Sequence, residues 1–148
     1  MHNPIQNPLL APQEVQPPRR TLLQIEDNSA NARLVEKLIA RRSDLKLLTA
    51  LNGYQGIEMA VSHQPAVILM DINLPDISGL AALNILRENP ATVGIRVIAL
   101  SSNAYPLQIK EGLEAGFFRY LTKPFRIQEL LDAIDLALRY AAENRPTH

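Results

Sequence analysis

Three acidic residues follow short, mainly apolar runs of the chain. Asp71 comes directly after residues 67–70, and Glu26 and Asp27 come directly after residues 22–25. Three carboxylates that meet in one crevice repel one another and have raised pKa values unless a cation neutralises them. Their hard oxygens suit Mg²⁺, which binds through one or two protein carboxylates together with phosphate oxygens. These three acids are therefore candidate metal ligands.

A hydroxyl and an ammonium group follow two further apolar runs. Ser101 comes after residues 97–100, and Lys123 comes after residues 120–122. The ammonium of Lys123 could pair with one phosphate oxygen, and Ser101 could donate a hydrogen bond to another. Such a set stabilises a phosphoryl group in transfer by positioning and charge. Asp71 is then the predicted nucleophile, with an aspartyl phosphate as the product.

These side chains need elements that bring them to one place. From Thr21 onward, short apolar runs alternate with amphipathic stretches. The runs predict five strands, at residues 22–25, 45–50, 66–70, 97–100 and 120–122. The other stretches predict helices at residues 29–41, 56–63, 78–88 and 106–115, and a final helix that ends near Asn144.

The alternation predicts an α/β fold, a doubly wound five-stranded parallel sheet, because parallel strands need a crossover connection. Helices would cover both faces of the sheet. We expect the flavodoxin-like (βα)5 arrangement with strand order 2-1-3-4-5, which is known for this class of fold. In that order strands one, three and four are neighbours and strand five lies next to them. The following residues then converge at the carboxyl ends: Glu26, Asp27, Asp71, Ser101 and Lys123.

One folded domain is predicted at residues 21–143. Residues 1–20 carry five prolines without sustained periodicity, which predicts a flexible leader or a linker to another domain. Residues 144–148 form a short tail. We expect no DNA-binding or effector domain after the final helix, because too few residues remain to form one.

The composition excludes several classes of function. The 148 residues carry 15 basic and 15 acidic side chains, so no net charge attracts nucleic acid or an anionic membrane. There is no cysteine, which excludes disulfides, thiolate metal sites and a cysteine nucleophile. No apolar run approaches the roughly 18 residues that span a bilayer, and the first residues show no secretory signal. We expect a cytoplasmic protein that contacts neither nucleic acid nor membrane directly.

The motifs at the strand ends resemble those of a known family. They are Ile-Glu-Asp-Asn at residues 25–28, Leu-Met-Asp-Ile-Asn-Leu-Pro at 69–75, Gly79, Ala-Leu-Ser at 99–101 and Tyr-Leu-Thr-Lys-Pro-Phe at 120–125. In this order they resemble a two-component response-regulator receiver domain of the chemotaxis-regulator type. The chain would be a stand-alone regulator or the receiver module of a hybrid sensor histidine kinase.

The resemblance implies a role for each residue at the acidic site. Asp71 matches the phosphoacceptor, and Lys123 matches the cation that pairs with the phosphoryl group. Asp27 matches the direct Mg²⁺ ligand, Glu26 acts mainly through a bound water, and the backbone carbonyl of Asn73 matches a third protein ligand. The implied cofactor is Mg²⁺.

The resemblance also implies a conformational switch. Ser101 matches the hydroxyl that turns toward the phosphoryl group, and Tyr120 matches the aromatic residue whose ring then moves inward. The Lys123-Pro124 bond would be cis. Two residues depart from the commonest pattern, because Glu26 replaces an aspartate and Ser101 replaces a threonine. Glu26 keeps the carboxylate and Ser101 keeps the hydroxyl, so both positions retain the required functional group.

The family implies protein partners. A histidine kinase or a histidine phosphotransfer domain would supply the phosphoryl group, and its docking surface would be the first helix, at 29–41. A downstream protein effector would use the face formed by the fourth helix, fifth strand and fifth helix. A weak homodimer is a further expected partner. In this reading the protein is a signalling phosphoacceptor and not an enzyme in its own right.

Three alternatives remain at this stage. A phosphatase with an aspartate nucleophile would need a second acid two residues after it, where this chain has Asn73. A flavodoxin-like cofactor carrier would need a glycine-rich loop after the first strand, where Glu26 and Asp27 would repel a phosphate. A docking module of the same fold would need no phosphorylation. Asp76 is close to Asp71 in sequence, but its place after Pro75 predicts a turn former.

Overall fold

Five strands and five helices alternate along the chain in a computed structural model, which describes residues 19–103 and 105–143. The strands are β1 (Arg20–Ile25), β2 (Leu45–Ala50), β3 (Val67–Asp71), β4 (Arg96–Ser101) and β5 (Arg119–Thr122). The helices are α1 (Ser29–Ile39), α2 (Gly53–His63), α3 (Gly79–Glu88), α4 (Pro106–Ala115) and α5 (Ile127–Glu143). Every strand pair is parallel, and the order is β2-β1-β3-β4-β5. The predicted fold class and strand order are confirmed.

The core lies on both faces of this sheet. In β3 the side chains alternate, so that Val67 and Leu69 pack with α1 and α5, whereas Ile68 and Met70 pack with α2 and α3. All five residues of β3 are buried. A central parallel strand is covered by helices on both faces, which explains why it forms a continuous apolar run.

Helix boundaries differ from the prediction where a cap was not foreseen. The helix α2 begins at Gly53 and not at residue 56, because Asn52 caps it by accepting a hydrogen bond from the Gln55 N–H at 2.8 Å. Asn28 caps α1 in the same way, because its side chain accepts a hydrogen bond from the Asn31 N–H at 2.9 Å.

The predicted leader and tail lie outside the described residues, with the exception of Arg19 and Arg20. Arg20 begins β1, so the first strand starts two residues before its predicted bound. Among the helices that the structure describes, none is long and apolar enough to cross a lipid bilayer.

Candidate functional site

Two buried carboxylates and one exposed carboxylate meet at the carboxyl edge of the sheet. β1 and β3 are neighbours and Ile25 pairs with Met70, so the residues that follow, Glu26 and Asp71, lie side by side. Glu26 is 4% exposed and Asp71 is 7% exposed, whereas Asp27 lies at the surface. One carboxylate oxygen from each of the three residues lies within 4.8 Å of the others. The structure therefore brings together the three acids selected from the sequence.

Lys123 approaches this cluster from the end of β5. Its backbone N–H donates to the Ser101 carbonyl at 2.7 Å, which continues the pairing with β4 past Thr122. Its Nζ donates to Glu26 Oε1 at 3.0 Å and to Asp71 Oδ2 at 3.3 Å. The bond to Pro124 is cis, as expected. The ammonium group thus bridges the two buried carboxylates.

One ammonium does not neutralise three carboxylates. Burial raises the pKa of the Glu26 carboxyl above its ordinary value, and the adjacent Asp71 carboxylate raises it further. Lys123 and the Asn28 N–H, which donates to Glu26 Oε2 at 3.2 Å, act in the opposite direction. The net direction is upward, so the ionised form of Glu26 is costly in the folded protein. A cation bound between these oxygens would remove that cost.

The oxygen atoms available at this edge fit a hard cation. Two of the carboxylates are held by hydrogen bonds, and the third, on Asp27, is open to solvent. Asn73 is exposed and lines the same open pocket as Asp27. Carboxylate and carbonyl oxygens with solvent access on one side suit a cation that keeps several of its waters. The cluster could therefore hold a metal ion.

The loop that follows β3 is fixed close to Asp71. The N–H of Asn73 donates to Asp71 Oδ1 at 2.9 Å, and the N–H of Gly79 donates to the Ile72 carbonyl at 2.9 Å. A Cβ on Gly79 would lie 2.9 Å from Ile72 Cα and 3.1 Å from the Asp71 carbonyl oxygen. Only glycine allows α3 to begin this close to the end of β3.

Ser101 lies at the end of β4 and is 1% exposed. Its hydroxyl donates to the Asn103 carbonyl at 3.1 Å and accepts from the Asn103 N–H at 3.0 Å. Both hydrogen bonds of the hydroxyl are therefore made with the loop that follows β4. The hydroxyl does not cap the next helix, because α4 begins after Tyr105 and has no side-chain cap.

Tyr120 is half-buried on β5 and packs beneath α4. Its ring contacts Phe117 edge to face, with centroids 6.2 Å apart. A Cβ on Gly112 of α4 would lie 2.7 Å from two ring carbons, so the absence of a side chain at Gly112 makes room for the ring. Tyr120, Ser101 and Asn73 line one pocket of about 160 Å³.

Asp76 has a role that the sequence did not indicate. Its carboxylate does not join the acidic cluster; it accepts hydrogen bonds from the N–H groups of Gly53 and Tyr54, at the beginning of α2. The prediction of a simple turn former was incomplete, because its main partners lie more than twenty residues away. The predicted start of that helix was residue 56, so nothing in the sequence linked Asp76 to Gly53.

The chain matches the family model described as "Response regulator receiver domain" over residues 22–135. It is 30% identical over 115 residues to the polar-differentiation response regulator DivK of Brucella anthropi, across 78% of this chain and 93% of DivK. It is 31% identical over 111 residues to the hybrid signal transduction histidine kinase G of Dictyostelium discoideum, across 74% of this chain. The matched part spans only 3% of the length of that kinase.

A solved structure gives the same result for the fold. The receiver domain of the Francisella response regulator 1452 superposes with a TM-score of 0.76 at 25% sequence identity. The superposition covers 82% of this chain and 98% of that domain.

Proposed function

The chain belongs to the family of response regulator receiver domains, and we propose that it accepts a phosphoryl group on Asp71 from a histidine kinase or a histidine phosphotransfer domain. The observation that carries this proposal is the state of the Asp71 carboxylate. This carboxylate is almost fully buried, yet it accepts hydrogen bonds from the Lys123 ammonium and the Asn73 N–H and lies beside the carboxylates of two other acidic residues. A buried carboxylate with such polar neighbours is more typical of a functional site than of a packed core.

The transfer step is a displacement at phosphorus. A carboxylate oxygen of Asp71 attacks the phosphorus atom of a phosphohistidine; the new O–P bond forms as the P–N bond breaks. The electron pair of the broken bond stays on the imidazole nitrogen of the donor. Lys123 lies within 3.3 Å of Asp71 Oδ2 and could pair with a phosphoryl oxygen without a large movement.

The acidic cluster and the loop that follows Asp71 would hold Mg²⁺. Asp27, Asp71 and the Asn73 carbonyl would bind the ion directly, and Glu26 would bind it through a water molecule. When bound, the ion neutralises phosphoryl oxygens during transfer. The support for this assignment is the oxygen-only donor set and the upward pKa shift of Glu26, which together indicate an acidic cluster in need of a cation.

Phosphorylation would then rearrange the switch residues. The phosphoryl group carries a charge of about −1.5 to −2 near neutral pH. Ser101 would exchange its bonds to Asn103 for one to a phosphoryl oxygen, and Lys123 would leave Glu26 for another. Tyr120 lines the same pocket as Ser101, so movement of the serine changes the space open to the ring. The face of α4, β5 and α5 is the proposed output surface for a protein effector.

The proposed donor surface is the exposed side of α1. Leu34 is 49% exposed and lines a pocket of about 310 Å³ together with Pro124 and Phe125. The pocket also includes Lys123 and Glu26, so a protein seated here would reach the acidic cluster. Substitution of Leu34 by Asp should slow transfer from a phosphohistidine protein and leave phosphorylation by acetyl phosphate unchanged, since that donor needs no docking surface.

Intact mass tests the proposal. Incubation with acetyl phosphate and MgCl₂ should add the mass of one phosphoryl group to the wild-type protein, and Asp71→Asn should add none. An equal gain in both proteins would contradict the assignment of Asp71. Asn73 supplies an amide where an aspartate-nucleophile phosphatase keeps an acid, so we expect no turnover of p-nitrophenyl phosphate.

A further inference from the structure

Asp76 joins two parts of the fold that are far apart in sequence. It lies in the loop between β3 and α3, and its carboxylate reaches the beginning of α2. Oδ1 accepts from the Gly53 N–H at 2.8 Å, and Oδ2 accepts from the Tyr54 N–H at 2.8 Å. The first N–H groups of a helix have no partner within it, so these are bonds that α2 cannot form by itself.

The charge of Asp76 suits this position. Desolvation acts to raise the pKa of Asp76, but the hydrogen bonds from backbone N–H groups, first those of Tyr54 and Gly53 and then those of Asp76 and Ile77, outweigh it, and the pKa lies below its ordinary value. The carboxylate is therefore ionised at neutral pH. A negative charge at a helix N-terminus is stabilised by the helix dipole.

The loop of residues 72–78 is also held at Asn73, whose N–H donates to Asp71 Oδ1, and by apolar side chains of the loop that pack against the core. Its first residue bonds β4, because the Ile72 N–H donates to the Leu100 carbonyl at 3.0 Å. Its end is closed by the bond from Gly79 to Ile72. Between these two points, Asp76 provides the described hydrogen bonds from the loop to α2, and Ile77 packs against Gly53.

Asn73 lies in the same loop, three residues before Asp76. We propose that Asp76 is a positioning residue for the metal site: by capping α2 it fixes the loop of residues 72–78, and so holds the Asn73 carbonyl toward the acidic cluster. This inference rests on the proposed function, in which that carbonyl binds Mg²⁺. Because coupling between two sites is reciprocal, Mg²⁺ binding also stabilises the cap on α2.

A matched pair of variants separates this role from simple support of α2. Asp76→Ala removes the cap that comes from the loop, whereas Asn52→Ala removes the cap that belongs to α2 itself, the bond to the Gln55 N–H. Both variants should lower the melting temperature. Only Asp76→Ala should weaken Mg²⁺ binding in calorimetry, by about tenfold, the lower end of the range for residues that orient metal ligands. Asp76→Asn keeps one acceptor oxygen and should give an intermediate affinity.

Amide hydrogen exchange in the wild-type protein tests the reciprocal effect without any variant. Exchange at Gly53 and Tyr54 should slow when MgCl₂ is added. Unchanged exchange there, an unchanged Mg²⁺ affinity in Asp76→Ala, or an equal loss in Asn52→Ala would each overturn the proposal. If the wild-type protein neither binds Mg²⁺ nor gains phosphoryl mass, the proposed function itself fails. If it does both and Asp76→Ala matches it, only the role of Asp76 fails.

Discussion

Substitution of Gly112 by alanine should displace the ring of Tyr120 at little cost in stability. The new Cβ would lie 2.7 Å from Cδ2 and Cε2 of Tyr120, and 3.4 Å from Cδ2 of Phe117. Contacts of 2.7 Å are not tolerated, so either the ring or α4 must move. Because the ring is only half-buried, it can turn toward solvent.

Two opposing effects determine how far Gly112→Ala changes the free energy of unfolding. Alanine is about 1 kcal/mol more favourable than glycine inside a helix. Loss of the edge-to-face contact between Tyr120 and Phe117 costs about 0.5–1.5 kcal/mol. The free energy of unfolding should therefore stay within about 1 kcal/mol of the wild-type value. If the ring kept its place and α4 were displaced, overpacking would cost about 1–3 kcal/mol instead.

Two measurements distinguish these outcomes. Urea unfolding gives the stability, and NMR gives the contacts between the rings of Tyr120 and Phe117, which should be lost in Gly112→Ala. Phosphorylation should then no longer change the environment of Tyr120. Gly94→Ala is the matched control, because a Cβ there meets no atom within 4 Å. A variant that keeps the contact between the rings would refute this reasoning.

Three further substitutions test the packing and charge of the site. Glu26→Gln should raise the urea midpoint at pH 7 in the presence of a chelator, because the raised pKa of Glu26 makes its ionised form costly in the folded protein. This gain in stability should vanish at acidic pH, below the ordinary pKa of glutamate, where the carboxyl is protonated in both states. An unchanged midpoint at pH 7 would contradict the prediction. Gly56→Ala should destabilise the protein by about 1–3 kcal/mol in urea unfolding despite the better helix propensity of alanine, because its Cβ would lie 2.3 Å from Cδ1 of Ile25. Gly79→Ala should slow phosphorylation by acetyl phosphate, measured by intact mass, because its Cβ would press on the backbone of Ile72 and displace the loop after Asp71; a wild-type rate would argue against that loop's role.

The sequence was sufficient for the helices and strands because each of them carries its own pattern. The strand β2 occupies its predicted bounds, Leu45–Ala50, and α4 begins at Pro106 and ends before Gly116 as predicted. The convergence of Glu26, Asp71 and Lys123 followed from the strand order, which the class of fold supplies and local sequence does not. Adjacent parallel strands end at one edge, so the residues after them meet.

Contacts between loops could not be predicted in the same way. Asp76 caps α2 only because the loop after β3 folds over the beginning of that helix, and no local pattern records this approach. The direction of the Ser101 hydroxyl and the place of the Tyr120 ring depend likewise on the loop at Asn103 and on α4. Such contacts are determined by tertiary packing, whereas the early start of α2 follows from a local cap at Asn52.

The most direct test of the account is the identity of the residue that carries the phosphoryl group. Borohydride reduces an acyl phosphate to the alcohol and so converts a phosphorylated aspartate to homoserine. After treatment with acetyl phosphate and MgCl₂, reduction and peptide sequencing by mass spectrometry should find homoserine at position 71 and unchanged side chains at Glu26 and Asp27. Aspartate at position 71 in a protein that has gained phosphoryl mass would contradict the central claim.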